Sequence, residues 1–173
     1  VYTVKDLCRV CYTCVRECPV KAIRIVDGQA EVVAERCIGC GNCTIVCSQG
    51  AKVYESSIDR VDTLLQGEEE VIAIVAPSYV AEFVDIPDMA LFAGMLKKLG
   101  FVQLFEVGMG ADLVAEAYEK LINGKPGNGY INSDCPAIVS FIEKYHPDLI
   151  GSLTPVVSPM VATVRYIRQV LQN

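Results

Sequence analysis

"CRVCYTCVRECPV" at residues 8–20 and "CIGCGNCTIVCSQ" at residues 37–49 share one spacing, C-x-x-C-x-x-C-x-x-x-C. The first run supplies Cys8, Cys11, Cys14 and Cys18, followed by Pro19; the second supplies Cys37, Cys40, Cys43 and Cys47. Disulfides suit small secreted proteins. Cysteines three apart in a tight turn rarely bridge without strain, however, and no secretory signal is visible. Zinc also takes four thiolates, commonly from two separated C-x-x-C knuckles. An iron–sulfur cubane suits the spacing best. Three close thiolates wrap three corners of a cluster, and the fourth corner needs a ligand from elsewhere in the fold.

With this doubled pattern, residues 1–56 resemble a bacterial-type two-cluster ferredoxin domain. In such ferredoxins the fourth cysteine of each run serves the other cluster. The resemblance therefore implies one 4Fe–4S cluster on Cys8, Cys11, Cys14 and Cys47, and a second on Cys37, Cys40, Cys43 and Cys18. "AIRIVDGQAEVV" predicts a hairpin around Asp27-Gly28, and "VYTV" and "KVYE" are expected to pair and join the ends. Gly39 and Gly41 leave room for N–H groups to approach cluster sulfurs, which tunes potential. Ser48 stands after Cys47 where the first run has Pro19, so that corner is expected to be looser.

The nine cysteines sit in a chain of 173 residues, 52% hydrophobic and 21% charged. That composition supports a packed core and argues against disorder. A net charge of −6 argues against nucleic acid. No apolar run approaches the roughly 20 residues of a membrane span; "VIAIVA" is strand-sized. The chain is expected to be the N-terminal part of something longer, in the cytoplasm.

Beyond residue 56 the rhythm changes. "SIDRVDTLLQGEEE" sets Ile58, Val61, Leu64 and Leu65 on one helical face, and Glu68, Glu69 and Glu70 make a solvated connector over residues 57–70. Two strands, "VIAIVAPS" and "FVQLFEV", alternate with helices. One helix carries Met89, Phe92, Met95, Leu96 and Leu99, with Pro87 near its first turn; another runs from about Ala111 to Ile122. "GYINS" is expected to be a further strand, followed by helices around Ile138–Tyr145 and Val161–Leu171. The expected fold class is a ferredoxin-like α+β two-cluster domain followed, over 71–173, by an α/β domain with a mostly parallel sheet.

The ninth cysteine, Cys135, follows "GYINS" and precedes Pro136, which suits a first helical position. It is expected at the carboxyl edge of the sheet, where open α/β sheets bind ligands. A buried, inert cysteine is the alternative.

"VIAIVAPSYVAEF", "LKKLGFVQLFEVGMGADLVAEA", "SDCPAIVSFIEKYHPDLI" and "SPM" resemble, in order, the large-subunit catalytic domain of iron-only hydrogenases. That family has a T-S-C-C-P stretch whose second cysteine ligates the cubane part of the hydrogen-activating cluster. Here the stretch is Asn132-Ser133-Asp134-Cys135-Pro136, so the resemblance assigns Cys135 that ligand role. Asp134 replaces the family's proton-passing cysteine. A free thiol titrates near 8.5 and a free Asp near 3.9, so an exposed Asp134 would be a poor acid. Burial beside an anionic cluster would restore relay competence; capping the next helix is the plainer role. The resemblance further implies a proton path through Glu116, Glu119 and Ser158, with Pro77, Ser78 and Met160 near the active-site cluster. A solvated helix face for the two glutamates, a cap for Ser158 and a core position for Met160 are the alternatives. His146 is expected to end a helix rather than bind metal.

The family needs three more cysteines for its active-site cluster, and none follows Cys135 here. The expectation is an N-terminal fragment of a hydrogenase interconverting protons and hydrogen, inactive alone, with two 4Fe–4S clusters as electron wire. The active-site cubane–diiron cluster would exist only in the full-length parent. Alternatives are a non-catalytic redox-sensing or electron-transfer module, with a downstream signalling domain, or an iron–sulfur assembly relative. A redox partner such as ferredoxin is expected.

Overall fold

The structure, a computed structural model, describes residues 1–86, 88–124 and 129–171. Along the chain run β1 (Tyr2–Thr3), α1 (Thr13–Glu17), β2 (Ile23–Val26), β3 (Gln29–Val32), α2 (Asn42–Ile45) and β4 (Lys52–Val53). There follow α3 (Ile58–Leu65), β5 (Ile72–Val75), α4 (Tyr79–Glu82), α5 (Met89–Leu99), β6 (Gln103–Glu106) and α6 (Val107–Gly124). The last helices are α7 (Pro136–Tyr145) and α8 (Pro159–Leu171). Two compact units result. One comprises Val1–Ser56 and Cys135–Leu153, the other Ser57–Asp134 and Thr154–Asn173.

The first unit is built on an internal repeat. Adding 29 to a residue number in the first cysteine run gives its counterpart in the second, from Cys8/Cys37 to Cys18/Cys47. The antiparallel pairs obey the same rule: Thr3 faces Lys52 in β1–β4, and Ile23 faces Val32 in β2–β3. The hairpin turns at Asp27-Gly28, both with positive φ, as the Asp-Gly pair demands. After each run the chain makes the same turn: Lys21 N–H donates to the Cys18 carbonyl at 3.2 Å and Gly50 N–H to Cys47 at 3.0 Å. The corner at Ser48 is therefore not loosened, because Gly50 takes the positive φ that Lys21 takes in the first run.

The core of this unit gathers Cys14, Cys18, Val20, Ala22, Ile23 and Ala30, all buried. Helix α7 contributes Phe141 and Tyr145 to it, their rings stacked with centroids 5.5 Å apart. Lys144 Nζ donates to the Ala34 and Cys37 carbonyls at 3.1 and 2.6 Å, and Tyr145 Oη to that of Arg36 at 2.8 Å. These bonds satisfy the Arg36 and Cys37 carbonyls in an irregular segment and add a second donor to that of Ala34, which also accepts from Cys37 N–H at 3.2 Å.

Among the described residues of the second unit the expected parallel sheet comes down to one parallel pair, β5 with β6, in the register Ile72–Gln103 to Val75–Glu106. "GYINS" forms no strand. Asp134 N–H turns back onto Asn132 Oδ1 at 2.6 Å, a local side-chain bond that competes with a ladder. Helix α6 begins at Val107, four residues before the expected start. Helix α5 has Asp88 as N-cap, its side chain accepting from Leu91 N–H at 2.7 Å, and Gly100 as C-cap at φ 111°. Of its apolar residues only Phe92 is buried, against the rings of Tyr79 and Phe83. In α3, Val61 and Leu65 are half-buried whereas Ile58 and Leu64 are exposed. Pro87, expected in the first turn of α5, lies outside the described residues.

Helices α6 and α8 pack at a very close crossing. A Cβ on Gly110 would overlap the Pro159 carbonyl oxygen and Thr163 Oγ1. Thr163 is fully buried there and donates to the Pro159 carbonyl at 2.9 Å.

Candidate metal centres

Two cavities in the first unit sort the eight cysteines of its paired runs. One is lined by Cys8, Cys11, Cys14 and Cys47. The other is lined by Cys18, Cys37, Cys40 and Cys43. Each set takes three thiols from one run and the last cysteine of the other. The crossing follows from the repeat, because the turn after each run carries its fourth cysteine toward the neighbouring loop. None of the nine cysteines is in a disulfide. Among the described residues, no three His, Cys, Asp or Glu side chains are grouped closely enough for one metal ion.

Loop geometry explains how three thiols face one point. Val10 and Tyr12 adopt positive φ (54° and 62°), as do their counterparts Gly39 and Gly41 (71° and 77°). Left-handed residues at alternate positions curl the backbone into a concave anion-binding nest. Main-chain N–H groups already point at two sulfurs, Ala22 to Cys18 Sγ at 3.2 Å and Gly39 to Cys37 Sγ at 3.4 Å.

The thiols are not electrostatically equal. The Thr13 hydroxyl, 3.4 Å from Cys11 Sγ, together with the Thr13 N–H, holds the Cys11 thiol below its ordinary range. Burial pushes Cys14 and Cys43 up, the positive charge of Lys52 opposing it in both. Burial also acts on Cys47, but the N–H groups of Lys52, Ala51 and Gln49 outweigh it and bring that thiol down. Soft thiolate donors around a largely apolar hollow fit an iron–sulfur cluster.

Residues 69–173 match the family model described as the iron-only hydrogenase large subunit, C-terminal domain. This chain belongs to the iron-only hydrogenase family. Residues 1–48 of this hydrogenase-family chain match the 4Fe–4S dicluster domain, making it an iron–sulfur protein with an electron-transfer module. Iron hydrogenase 1 of Clostridium pasteurianum is 31% identical over 117 residues, 61% of this chain and 20% of the relative. The NADP-reducing hydrogenase subunit HndD of Solidesulfovibrio fructosivorans is 28% identical over 141 residues, 71% of this chain and 24% of the relative. The chain thus spans about a quarter or less of the length of these two hydrogenase relatives. A solved apo FeFe-hydrogenase from Chlamydomonas reinhardtii aligns with a TM-score of 0.47 at 24% identity, covering 61% of this chain and 31% of that one. Among the described residues no helix is long and apolar enough to cross a membrane.

None of the remaining candidate residues lines either cavity. Cys135 is exposed and is itself the N-cap of α7, with Pro136 at the helix start and no side-chain cap bond. It follows a turn, not a strand. Asp134 is therefore not the cap. Its Oδ2 accepts from Asn132 Nδ2 at 3.3 Å, while Oδ1 is buried without a hydrogen-bond partner. The neighbouring Ser133 is locked: its hydroxyl reaches the Thr154 and Val156 carbonyls at 2.8 and 3.0 Å. Tyr118 Oη joins the same group, 3.0 Å from Thr154 Oγ1.

Glu116 and Glu119 are both exposed on α6, and Glu116 pairs with Lys120 at 3.9 Å. Ser158 accepts from Val161 N–H at 3.4 Å in the manner of a helix cap. Pro77, Ser78 and Met160 are exposed, Pro77 and Ser78 immediately beyond β5. His146 ends α7, its ring 5.0 Å from that of Phe141. Sequence reasoning missed Lys52, a buried cation in the wall of the first cavity. Comparing the two runs at the 29-residue offset sets it against an apolar counterpart, Ile23, which marks the position but not its burial.

Proposed function

We propose that residues 1–56 hold two 4Fe–4S clusters, one on Cys8, Cys11, Cys14 and Cys47 and one on Cys18, Cys37, Cys40 and Cys43. In this proposal they wire electrons to the hydrogen-activating site of a longer hydrogenase. The observation that carries it is the sorting of eight thiols into two four-thiol cavities, three from one run and one from the other in each. Bound clusters supply reversible one-electron transfer. The protein's part is to fix four thiolates, offer N–H groups from Ala22 and Gly39 to the sulfurs, and exclude water with Val20, Ala22 and Ile23. Exclusion of water and hydrogen bonds to sulfur are two of the means by which a protein sets a cluster's potential.

The division of labour is a ferredoxin module over 1–56, a connector over 57–70 and part of the catalytic domain over 71–173. In that last part Cys135 is a ligand of the active-site cubane. One thiolate cannot hold a cubane, so hydrogen chemistry belongs to the parent protein, whose further cysteines complete the site. Asp134, Glu116, Glu119 and Ser158 are proposed for its proton path, with Pro77, Ser78 and Met160 beside the cluster. A small cytoplasmic redox protein such as a ferredoxin is the proposed electron partner.

Anaerobically prepared chain should carry about eight iron atoms and about eight labile sulfides. Cys18→Ala should lower both to about half while leaving the first centre's reduced-state paramagnetic signal. Zinc in place of iron, or disulfides among these eight cysteines, would overturn the assignment.

A further inference from the structure

Lys52 is only 4% exposed, yet among the described residues no carboxylate lies within ion-pair distance of it. Its ammonium donates to Thr3 Oγ1 at 2.5 Å and to the Ala30 carbonyl at 2.9 Å. Both acceptors are neutral. A buried charge without a counter-charge is costly, and proteins keep one only where something compensates it. Lys52, Thr3 and Ala30 all line the cavity of Cys8, Cys11, Cys14 and Cys47.

The internal repeat supplies a control within the molecule. Lys52 faces Thr3 in β4–β1 as Ile23 faces Val32 in β2–β3, and Ile23 and Val32 line the other cavity. Arg9, in the wall of the first cavity, likewise corresponds to Ile38 in the wall of the second. Each hollow has four thiols and the same loop geometry, but only the first has cationic side chains in its wall.

We propose that Lys52 makes the two centres unequal, holding the one on Cys8, Cys11, Cys14 and Cys47 at the higher reduction potential, so that a single electron rests there. This rests on the two-cluster assignment. Reduction adds one negative charge to an already anionic cluster, and a nearby ammonium in a low-dielectric wall favours that step. Each centre takes up one electron and no bond forms or breaks. The charge of Lys52 also reaches Cys43 of the second cavity, so the difference between the centres, rather than either value alone, is the quantity to follow.

The test is an anaerobic redox titration of the full chain with dithionite as reductant, followed by electron paramagnetic resonance, with iron counted in every sample. Cys11→Ser marks the first centre by altering its spectrum. Wild-type protein should show two unequal midpoints, the first centre higher. Lys52→Met should weaken reduction of that centre about tenfold, a fall of about 59 mV for one electron, and narrow the gap; Lys52→Arg should preserve it. Should Lys52→Met fail to load, Ile23→Lys gives an independent answer, since it should raise the second centre. Two loaded centres with a gap indifferent to Lys52→Met, or a second centre indifferent to Ile23→Lys, overturn the role of Lys52 and leave the cluster assignment standing. Wild-type chain without two cubanes overturns both.

Discussion

Val10 and Gly39 stand 29 residues apart and share one left-handed backbone conformation, φ 54° and 71°. The second loop meets this demand with glycine; the first forces a β-branched residue into it. Such a residue in that region is strained by roughly 1–2 kcal/mol. Val10→Gly should therefore be neutral to stabilising by about 1 kcal/mol, relief of strain being partly offset by a more flexible unfolded chain. Gly39→Val should cost about 2 kcal/mol. Denaturant midpoints of the iron-loaded chain, measured without oxygen, check both. A loss of stability in Val10→Gly would mean the loop is held by something other than backbone geometry.

Gly110 lets α6 and α8 touch. Because a Cβ would strike main-chain atoms as well as Thr163, no rotamer change can relieve it. Gly110→Ala should destabilise the second unit by about 3 kcal/mol through forced separation of the helices. The first unit contains neither helix, so its cluster spectrum should persist when the second unit has unfolded. Hydrogen exchange resolved by segment would show this, and uniform protection in the variant would contradict it.

The thiols of chelator-treated, iron-free chain should differ in reactivity. The thiolate is the nucleophile. Cys11, exposed and lowered by Thr13, should be alkylated by iodoacetamide at lower pH than Cys14, which burial raises. As pH climbs from about 7 to about 9, labelling should reach Cys11 first and Cys14 late. Thr13→Val should slow the Cys11 reaction. Peptide mass spectrometry gives the order, and equal rates at the two positions would refute it.

Asp134 has one carboxylate oxygen buried without a partner, and it caps no helix. Neither a structural bond nor a capping role accounts for that oxygen, so a relay role deserves a direct trial. In the longer hydrogenase proposed above, Asp134→Cys should raise hydrogen turnover by at least tenfold, within the usual range for a positioned acid–base group. Gas-phase assay of hydrogen at saturating reductant reads this directly, and unchanged turnover removes Asp134 from the proton path.

Lys144 ties α7 to the carbonyls of Ala34 and Cys37 within the first unit. Lys144→Met should leave the Cys37 carbonyl to water, while the Ala34 carbonyl keeps the Cys37 N–H, and cost about 1 kcal/mol. The loss should appear as faster iron release to a chelator under denaturant. An unchanged release rate would show those bonds to be dispensable.

Much was legible in the order of residues alone. The doubled cysteine spacing, the Asp27-Gly28 hairpin and the β5 and β6 strands depend on turn chemistry or patterning local enough for a short window to contain them, and the pairing of "VYTV" with "KVYE", though 49 residues apart, follows from the resemblance to a two-cluster ferredoxin. What lay beyond reach was tertiary. The spacing of residues 8–47 does not say that Lys52 will be buried, because a lysine at a strand position ordinarily faces water; only the fold brings Thr3 and Ala30 to its ammonium. Nor does Gly110 disclose that a second helix will lie against it. Patterns along a chain record what each residue prefers. Which preferences are overruled is decided by neighbours far away in sequence, through packing and desolvation that no short window contains.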